Sequence, residues 1–221
     1  MNQKCPDYGT EEGGKVHVGD VPNPEMVDVG DNCVLIGKDK GKLLISSPEI
    51  SDGVFDKSII LICEHNSNGA MGFILNKPLI DVSLEQIWTN IGYQKKNSYL
   101  TNEDVFIGGP LASNAMFVIH SPEYFIDKKT IKVREEISVT GTKEITDDIQ
   151  KGKGPRKAIF LLGYSGWTSG QLEDEIMMDS WFVSEKFQNL IFSVDYQAKW
   201  TDALFLIGID PSKLSSYAGS S

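Results

Sequence analysis

Residues 58–78 read SIILICEHNSNGAMGFILNKP, and this stretch determines the predicted fold. The apolar, mostly β-branched run at Ile59–Ile62 is typical of a buried strand. Ser67-Asn68-Gly69 is typical of a tight turn, because Asn and Gly readily adopt positive φ angles. Phe73–Leu75 is the returning strand, and Pro78 marks its end because proline has no N–H for the ladder. The stretch therefore predicts a β-hairpin.

Four chemically capable side chains follow one another at the mouth of this hairpin: Cys63, Glu64, His65 and Asn66. Cys63 and His65 are two residues apart in a strand, so we expect them to share a face, with about 7 Å between their Cα atoms. Glu64 is expected to point to the opposite face. The pattern allows a nucleophilic thiol at Cys63, activated by His65 and oriented through Asn66 or Glu64. Residue statistics favour the alternative, a buried cysteine beside a histidine that ties down the turn.

The composition is that of an ordinary globular protein of 221 residues with a formal net charge of −10. Half of that charge lies in residues 1–31, so the remaining chain is only mildly acidic. This balance weighs against direct nucleic-acid binding, which needs a cationic face. No apolar run approaches the roughly 20 residues of a membrane helix and no signal peptide is visible, so no membrane partner is expected. Three widely spaced cysteines favour a reducing compartment, and the chain is predicted to be cytoplasmic.

The chain is expected to form one folded unit with a tail at each end. Residues 1–38 contain repeated glycines and prolines and no sustained hydrophobic period, which predicts a flexible acidic N-terminal tail. Residues 39–210 are predicted to form a single domain. Residues 211–221 are mostly small and polar and are predicted to be a flexible C-terminal tail.

Strands and helices alternate irregularly along the domain, which predicts an α+β fold rather than a doubly wound α/β fold. The clearest helix begins at Ser83, because Ser83 and Gln86 have the spacing of a capping box. Leu84, Ile87 and Trp88 then share one helix face. Further strands are predicted at residues 42–46, 105–107, 115–120, 129–133, 157–162 and 190–194, and further helices at residues 142–151, from 168 onward and at 197–206.

Two glycine-rich segments are candidate parts of a binding surface. Gly108-Gly109-Pro110 allows a sharp turn or a close approach of two backbones. Gly163–Trp167 is predicted as a turn into a helix that begins at Thr168, with Gln171 as the capping partner. Its likeness to the G-x-S-x-G nucleophile elbow fails, because tryptophan replaces the last glycine and every histidine precedes the serine.

No metal site and no cofactor are predicted. The three histidines, His17, His65 and His120, are scattered, and no Cys/His pair has the spacing of a preformed metal site. The sequence also has no glycine-rich nucleotide-binding motif.

Several separated sequence blocks occur in a characteristic order. They are GKLLI (41–45), CEHN (63–66), GAMG (69–72), NKP (76–78), GGP (108–110), FVIH (117–120), LGY (162–164), GW (166–167), GQLE (170–173), Trp181 and IGID (207–210). Together they resemble the bacterial YqgE/AlgH family of small, largely uncharacterised proteins. The resemblance implies a bifurcated, mostly antiparallel sheet that curls into a pseudo-barrel with helices packed outside. It implies no known reaction, although some members are called transcriptional regulators.

The predicted working surface is a groove between Cys63–Asn66, Gly108–Pro110 and Gly163–Glu173, because polar residues and glycines cluster in these segments. The leading hypothesis is a non-enzymatic binding or regulatory protein with an unidentified protein or small-molecule partner. The rival hypothesis is a cysteine-dependent enzyme or thiol redox sensor that uses Cys63 and His65. The predicted binding residues are Glu64, His65, Asn66, Asn76, Gly108, Gly109, His120, Tyr164, Trp167, Gln171 and Glu173.

Overall fold

A computed structural model describes residues 39–51, 53–90, 104–186 and 190–214. Ten strands and five helices lie within these ranges. The strands are β1 (Leu43–Ser46), β2 (Ile59–Asn66), β3 (Gly69–Ile74), β4 (Pro78–Ser83), β5 (Asp104–Ile107), β6 (Leu111–His120), β7 (Thr130–Arg134), β8 (Ile137–Thr140), β9 (Ala158–Thr168) and β10 (Trp181–Ser184). The helices are α1 (Leu84–Asn90), α2 (Lys143–Gln150), α3 (Gln171–Met177), α4 (Lys199–Leu206) and α5 (Pro211–Leu214).

The strands form one mostly antiparallel sheet that branches at β9. Its main path runs β10-β1-β2-β3-β9-β6-β8-β7, and β5 pairs with both β4 and β9. The β5–β9 pair is parallel, and the other described pairs are antiparallel. The α+β prediction is therefore confirmed. Within the described ranges β10 and β7 do not pair, so the sheet is not closed and the predicted pseudo-barrel is not confirmed.

Strand β9 changes partners next to a glycine. Its first part pairs with β5 and β6, and its last four residues pair with β3. At the change, Gly163 has a φ of +72°, and the backbone of Gly108-Gly109 crosses directly over it. A Cβ atom on Gly108 would lie 2.3 Å from the Gly163 carbonyl oxygen. Glycine at both positions is what allows the two backbones to approach so closely.

The sheet contributes to three hydrophobic clusters, one on its inner face and two on its outer face. The inner face, which includes Leu61 and Phe73, contributes to a cluster that also takes residues from β1, β5 to β9 and α4. Because strands from distant parts of the path share this cluster, the sheet curls around it. Arg134 Nη1 at the end of β7 donates to the Gly41 carbonyl at 3.1 Å, across the open side of the curl. On the outer face, Ile60 belongs to a cluster that includes Leu172 of α3. Val118 and Phe160 belong to a separate outer cluster with residues of α1 and α2.

The central hairpin and the helix after Ser83 are confirmed. Strands β2 and β3 are joined by the two residues Ser67 and Asn68. The capping box is complete, because Ser83 N donates to Gln86 Oε1 at 2.8 Å and Gln86 N donates to Ser83 Oγ at 3.2 Å. Helices α2 and α4 lie within their predicted ranges. None of the helices in the described ranges is long and apolar enough to cross a membrane.

Three predictions for the second half of the chain are wrong. Residues 163–167 belong to β9 rather than to a turn, because β3 offers them a pairing partner. Helix α3 begins at Gln171, after Gly170 in the left-handed region, rather than at Thr168. Residues 190–194 form no strand, and Ile191 is buried in the inner cluster, so that apolar run reflects packing rather than pairing.

Strands β4, β8 and β10 were not predicted from the sequence, and they are short strands at or near the ends of the sheet. Residues 211–214, predicted as the start of a flexible tail, form α5. The carboxylate of Asp210 caps this turn, because Oδ1 accepts from Ser212 N at 3.0 Å. The predicted N-terminal tail at 1–38 and residues 215–221 lie outside the described residues.

Candidate functional site

A β-bulge decides which side chains of the hairpin meet. The pairing of β2 with β3 shifts between Ile62 and Glu64, so Cys63 is the extra residue in β2. An extra residue interrupts the in–out alternation of a strand. Cys63 and Glu64 therefore both lie on the inner face, Glu64 opposite Met71, whereas His65 lies on the outer face. For this reason the prediction that Cys63 and His65 share a face is wrong.

Cys63 is a packing residue. Its side chain is fully buried in the inner cluster, and its Sγ donates to the Leu61 carbonyl at 3.6 Å. Burial raises the pKa of the Cys63 thiol far above its ordinary range. Because the thiolate is the nucleophilic form, this environment does not support a catalytic or redox-active cysteine.

We expect Cys63 to resist alkylation in the native state. In a Cys5→Ser, Cys33→Ser background, Cys63 is the sole thiol, so iodoacetamide labelling followed by mass spectrometry reports on it alone. Labelling at pH 7.5 should be at least about 100-fold slower than in 8 M urea, because the buried thiol reacts only after opening of the structure. Equal rates in the two conditions would restore the rival hypothesis.

His65 lies between two carboxylates beneath α3. Its Nε2 donates to Glu173 Oε1 at 3.0 Å, and its Nδ1 lies 3.3 Å from Asp39 Oδ2, outside hydrogen-bond geometry. Lys42 Nζ continues the chain of charges, at 3.2 Å from Asp39 Oδ1 and 3.1 Å from Glu185 Oε1. Only 3% of the His65 side chain is exposed. These contacts make His65 and Glu173 a link between β2, α3 and the residues before β1, rather than a free ligand-binding pair.

Glu175 fastens α3 onto the outer face. Its Oε2 accepts from Trp167 Nε1 at 2.9 Å and from Trp181 Nε1 at 2.7 Å. Its Oε1 accepts from Gln171 Nε2 at 2.9 Å, and Gln171 Oε1 in turn accepts from Thr168 N at 3.0 Å. The Gln171 side chain is therefore used inside the start of the helix. We interpret it as a structural residue, in contrast to its predicted binding role.

A cleft of about 210 Å³ opens at the hairpin end of the inner face, and we call it the mouth cleft. Its apolar wall consists of Met71, Ile131 and Tyr164, which are partly buried against the inner cluster. The Tyr164 ring is held edge-on to Phe117, with 6.0 Å between centroids. Ile131 comes from β7, so the curl of the sheet is what completes this wall.

Polar groups of the hairpin form the rim of the mouth cleft. Glu64, Asn66 and Asn68 line it, together with part of Trp167. Asn66 Oδ1 accepts from Asn68 N at 2.8 Å, which holds the hairpin tip in one conformation. Four of the predicted binding residues, Glu64, Asn66, Tyr164 and Trp167, are thus brought together here. Chemically, the cleft offers one carboxylate and two amides above an apolar floor.

Asn76, Gly108 and Gly109 do not reach the mouth cleft. Asn76 is buried at the other end of β2, where Oδ1 accepts from Ile59 N at 3.0 Å and Nδ2 donates to the Lys57 carbonyl at 2.8 Å. Gly108 and Gly109 are buried in the backbone crossing over β9. All three residues shape the scaffold.

His120 is also remote from the mouth cleft. It pairs with Ala158 at the start of β9, nine residues or about 30 Å of strand from Trp167. Its Nδ1 donates to the Ser121 carbonyl and its Nε2 accepts from Thr140 Oγ1, both at 2.9 Å. Burial lowers the pKa of His120 below its ordinary value. His120, which was predicted as a binding residue, therefore does not line the mouth cleft.

A second groove, which we call the far groove, lies at the start of β9 and has a volume of about 730 Å³. Glu123, Glu136, Arg156, Lys157 and Phe192 are among the residues that line it. Across the described part of the chain, no group of three or more His, Cys, Asp or Glu residues is arranged to hold a metal ion.

Comparison with known proteins assigns the family. A protein-family model described as DUF179, AlgH-like, matches residues 43–212, which is most of the chain. The chain belongs to the AlgH-like family. The resemblance inferred from the sequence blocks is thereby confirmed.

Bacterial relatives match this AlgH-like chain over nearly their whole length. A UPF0301 protein of Cereibacter sphaeroides is 41% identical over 183 residues, which are 81% of this chain and 97% of that protein. A UPF0301 protein of Methylobacterium nodulans is 38% identical over 185 residues, which are 81% of this chain and 88% of the relative. The names of these relatives describe no substrate, partner or reaction.

Two solved structures resemble the AlgH-like fold described here. The solution structure of AlgH from Pseudomonas aeruginosa matches with a TM-score of 0.66 and 26% identity, over 82% of this chain and 95% of that one. A crystal structure of protein DIP2367 from Corynebacterium diphtheriae matches with a TM-score of 0.62 and 18% identity, over 82% and 92% of the two chains. At that identity the second match shows a shared fold alone.

Proposed function

We propose that this AlgH-like protein is a non-enzymatic binding protein. It recognises a small molecule, or a single side chain of a protein partner, in the mouth cleft. Any regulatory role acts through that partner and not through direct contact with DNA. We also place the protein in the cytoplasm, and the unpaired thiol of Cys63 supports a reducing compartment.

The observation that carries the proposal is the composition of the mouth cleft. Ligand sites are concave and mostly apolar, with a few polar groups that orient the ligand, and curled sheets commonly form them at their mouths. Here Met71, Ile131 and Tyr164 supply the apolar surface, and Glu64 and Asn66 supply the polar groups. The hairpin that presents the polar groups is held in the sheet, as is usual for loop residues that carry function on a rigid scaffold.

The enzyme and DNA-binding alternatives have weaker support. Cys63, the nucleophile of the rival hypothesis, is buried away from His65, and burial raises its pKa. A net charge of −10 repels a nucleic-acid backbone, because binding there depends on neutralising phosphates with Lys and Arg.

A capture experiment with two matched double variants tests the proposal. Glu64→Ala with Tyr164→Ala strips one carboxylate and one aromatic ring from the mouth cleft. Glu136→Ala with Phe192→Ala removes the same types of side chain from the far groove and serves as the control. Each immobilised protein is exposed to a bacterial lysate, and the retained partners are quantified by mass spectrometry. The amount of partner retained by the first double variant should be at least about 10-fold lower than that retained by wild type, and the second double variant should retain as much as wild type.

Thermal unfolding of both double variants establishes that each is folded before the capture is compared. Equal retention of every partner by the mouth-cleft pair and by wild type would refute the proposal. A loss confined to the far-groove pair would also refute it, and would move the binding surface to the start of β9.

A further inference from the structure

We propose that the mouth cleft selects an organic cation, namely a guanidinium or ammonium group on a short apolar stem. Such a group occurs on free amines and guanidines and on the Lys or Arg side chains of a protein. The inference rests on the proposed function, because it names the ligand class of the same cleft.

The position of Glu64 favours a cation. Among the residues that line the mouth cleft, Glu64 is the one acid and there is no Lys, Arg or His. The bulge at Cys63 turns Glu64 to the inner face, where strict alternation would have sent it outward. Bulges commonly re-aim a side chain in this way beside a functional site.

The Glu64 carboxylate has no partner among the described residues. In the parts of the chain that the structure describes, it makes no ion pair and no side-chain hydrogen bond. Lys40, whose charge acts on nearby Cys63, forms no ion pair with Glu64 either. A cation in the cleft would meet this carboxylate directly, whereas an anion would face it with no basic lining residue to offset the repulsion.

The apolar wall of the mouth cleft also suits an organic cation. Met71, Ile131 and Tyr164 present a polarisable thioether, a branched alkyl group and an aromatic ring. Apolar stems of Lys and Arg pack well against such surfaces while the charged head stays near water and an acid. An aromatic ring beside an organic cation adds a further attraction.

Size and net charge agree with this ligand class. A volume of about 210 Å³ is below the range of roughly 300–1,000 Å³ that is typical for drug-sized ligands. It suits one long side chain or a small molecule of similar length. The net charge of −10 attracts cations to the protein at low ionic strength.

Three probes, each with an unbranched chain of four carbon atoms (in butyrate the carboxylate carbon is the fourth), test the inference on the full chain. They are n-butylguanidinium, n-butanol and butyrate, titrated while NMR follows the methyl signals of Met71 and Ile131. We expect saturable shifts with n-butylguanidinium, at least 10-fold weaker binding of n-butanol and no binding of butyrate. Glu64→Gln should lower the affinity for n-butylguanidinium at least 10-fold. Glu136→Gln in the far groove should leave the affinity for n-butylguanidinium unchanged.

The outcomes separate the ligand class from the site itself. If n-butanol or butyrate binds as well as the guanidinium and Tyr164→Ala removes that binding, the cation inference is overturned and the cleft remains a binding site. If no probe shifts the Met71 and Ile131 signals, the cation inference is also overturned, and the capture experiment alone then decides the proposed function.

A further arm distinguishes the two sources of the cation. The peptide acetyl-Gly-Arg-Gly-amide carries the same guanidinium on a backbone. Binding at least 10-fold tighter than n-butylguanidinium supports a protein partner, and equal or weaker binding supports a free small cation. If Glu64→Gln binds n-butylguanidinium and the peptide as tightly as wild type does, the inference is contradicted for both sources.

Discussion

Gly163→Ala is expected to abolish folding, or to lower the free energy of unfolding by about 4 kcal/mol or more. A Cβ atom at this position would lie 2.5 Å from the Gly109 carbonyl oxygen and 2.7 Å from that of Leu111. Both neighbours are backbone atoms of paired or buried segments, so neither can move without breaking the crossing that joins β5 and β6 to β9. Urea denaturation followed by tryptophan fluorescence measures the loss.

Gly152→Ala is the matched control for this substitution. Gly152 also has a φ of +72°, but a Cβ atom there would meet no heavy atom within 4 Å. Its cost should therefore be limited to that of a left-handed alanine, about 1–2 kcal/mol. A similar loss for the two variants would show that backbone conformation, rather than the close approach over β9, decides the effect.

Lys199 leads to the second large expected effect, which depends on pH. Its side chain is 1% exposed, and its Nζ donates to the Leu75 carbonyl at 3.1 Å and the Ile191 carbonyl at 2.9 Å. The Nζ also lies 5.8 Å from the centroid of the Phe106 ring. These contacts supply no counter-charge, and burial lowers the pKa of Lys199 to about 8 from an ordinary 10.5.

We expect the free energy of unfolding to rise by about 3 kcal/mol between pH 8 and pH 10.5 because of Lys199 alone. Below pH 8 the amine is charged in both states, so folding carries the full cost of burying a charge. Between pH 8 and 10.5 the folded protein has released this proton while the unfolded chain still holds it. The folded state therefore gains stability as the pH rises through this window, and the gain levels off above it.

Comparison with Lys199→Met isolates this effect from the other groups that titrate at alkaline pH. The variant loses two hydrogen bonds, but that cost does not depend on pH. The unfolding free energy of wild type minus that of Lys199→Met should therefore increase between pH 8 and pH 10.5. Lys153 is exposed, so the unfolding free energy of Lys153→Met should change with pH in the same way as that of wild type. Parallel curves for wild type and Lys199→Met would mean that the buried amine keeps its ordinary pKa.

The candidate site was predictable from the sequence in part. Polar residues at the hairpin mouth and the Gly163–Trp167 segment identified Glu64, Asn66, Tyr164 and Trp167 as neighbours in the fold, and these four residues do line the mouth cleft. Ile131 was not predictable, because it comes from a strand that reaches the cleft only through the curl of the sheet. Nothing in its local sequence distinguishes it from other residues that pack in the core.

The assignment of faces was wrong for an equally physical reason. Alternation along β2 places Cys63 with His65, and the bulge reverses that relationship by adding one residue. His120 and Asn76 were also predicted as binding residues. In this fold they satisfy buried backbone and hydroxyl groups at other ends of the sheet instead.

The amino-acid sequence by itself determined the hairpin, the capped helix α1, the α+β class and the family, because turns, caps and short sequence blocks depend on residues that are close along the chain. Only the tertiary structure decided where β9 changes partners, which face each side chain of β2 occupies and which residues share the mouth cleft. Those features depend on contacts between segments far apart in the sequence. Such contacts form only when the sheet curls around its apolar inner face.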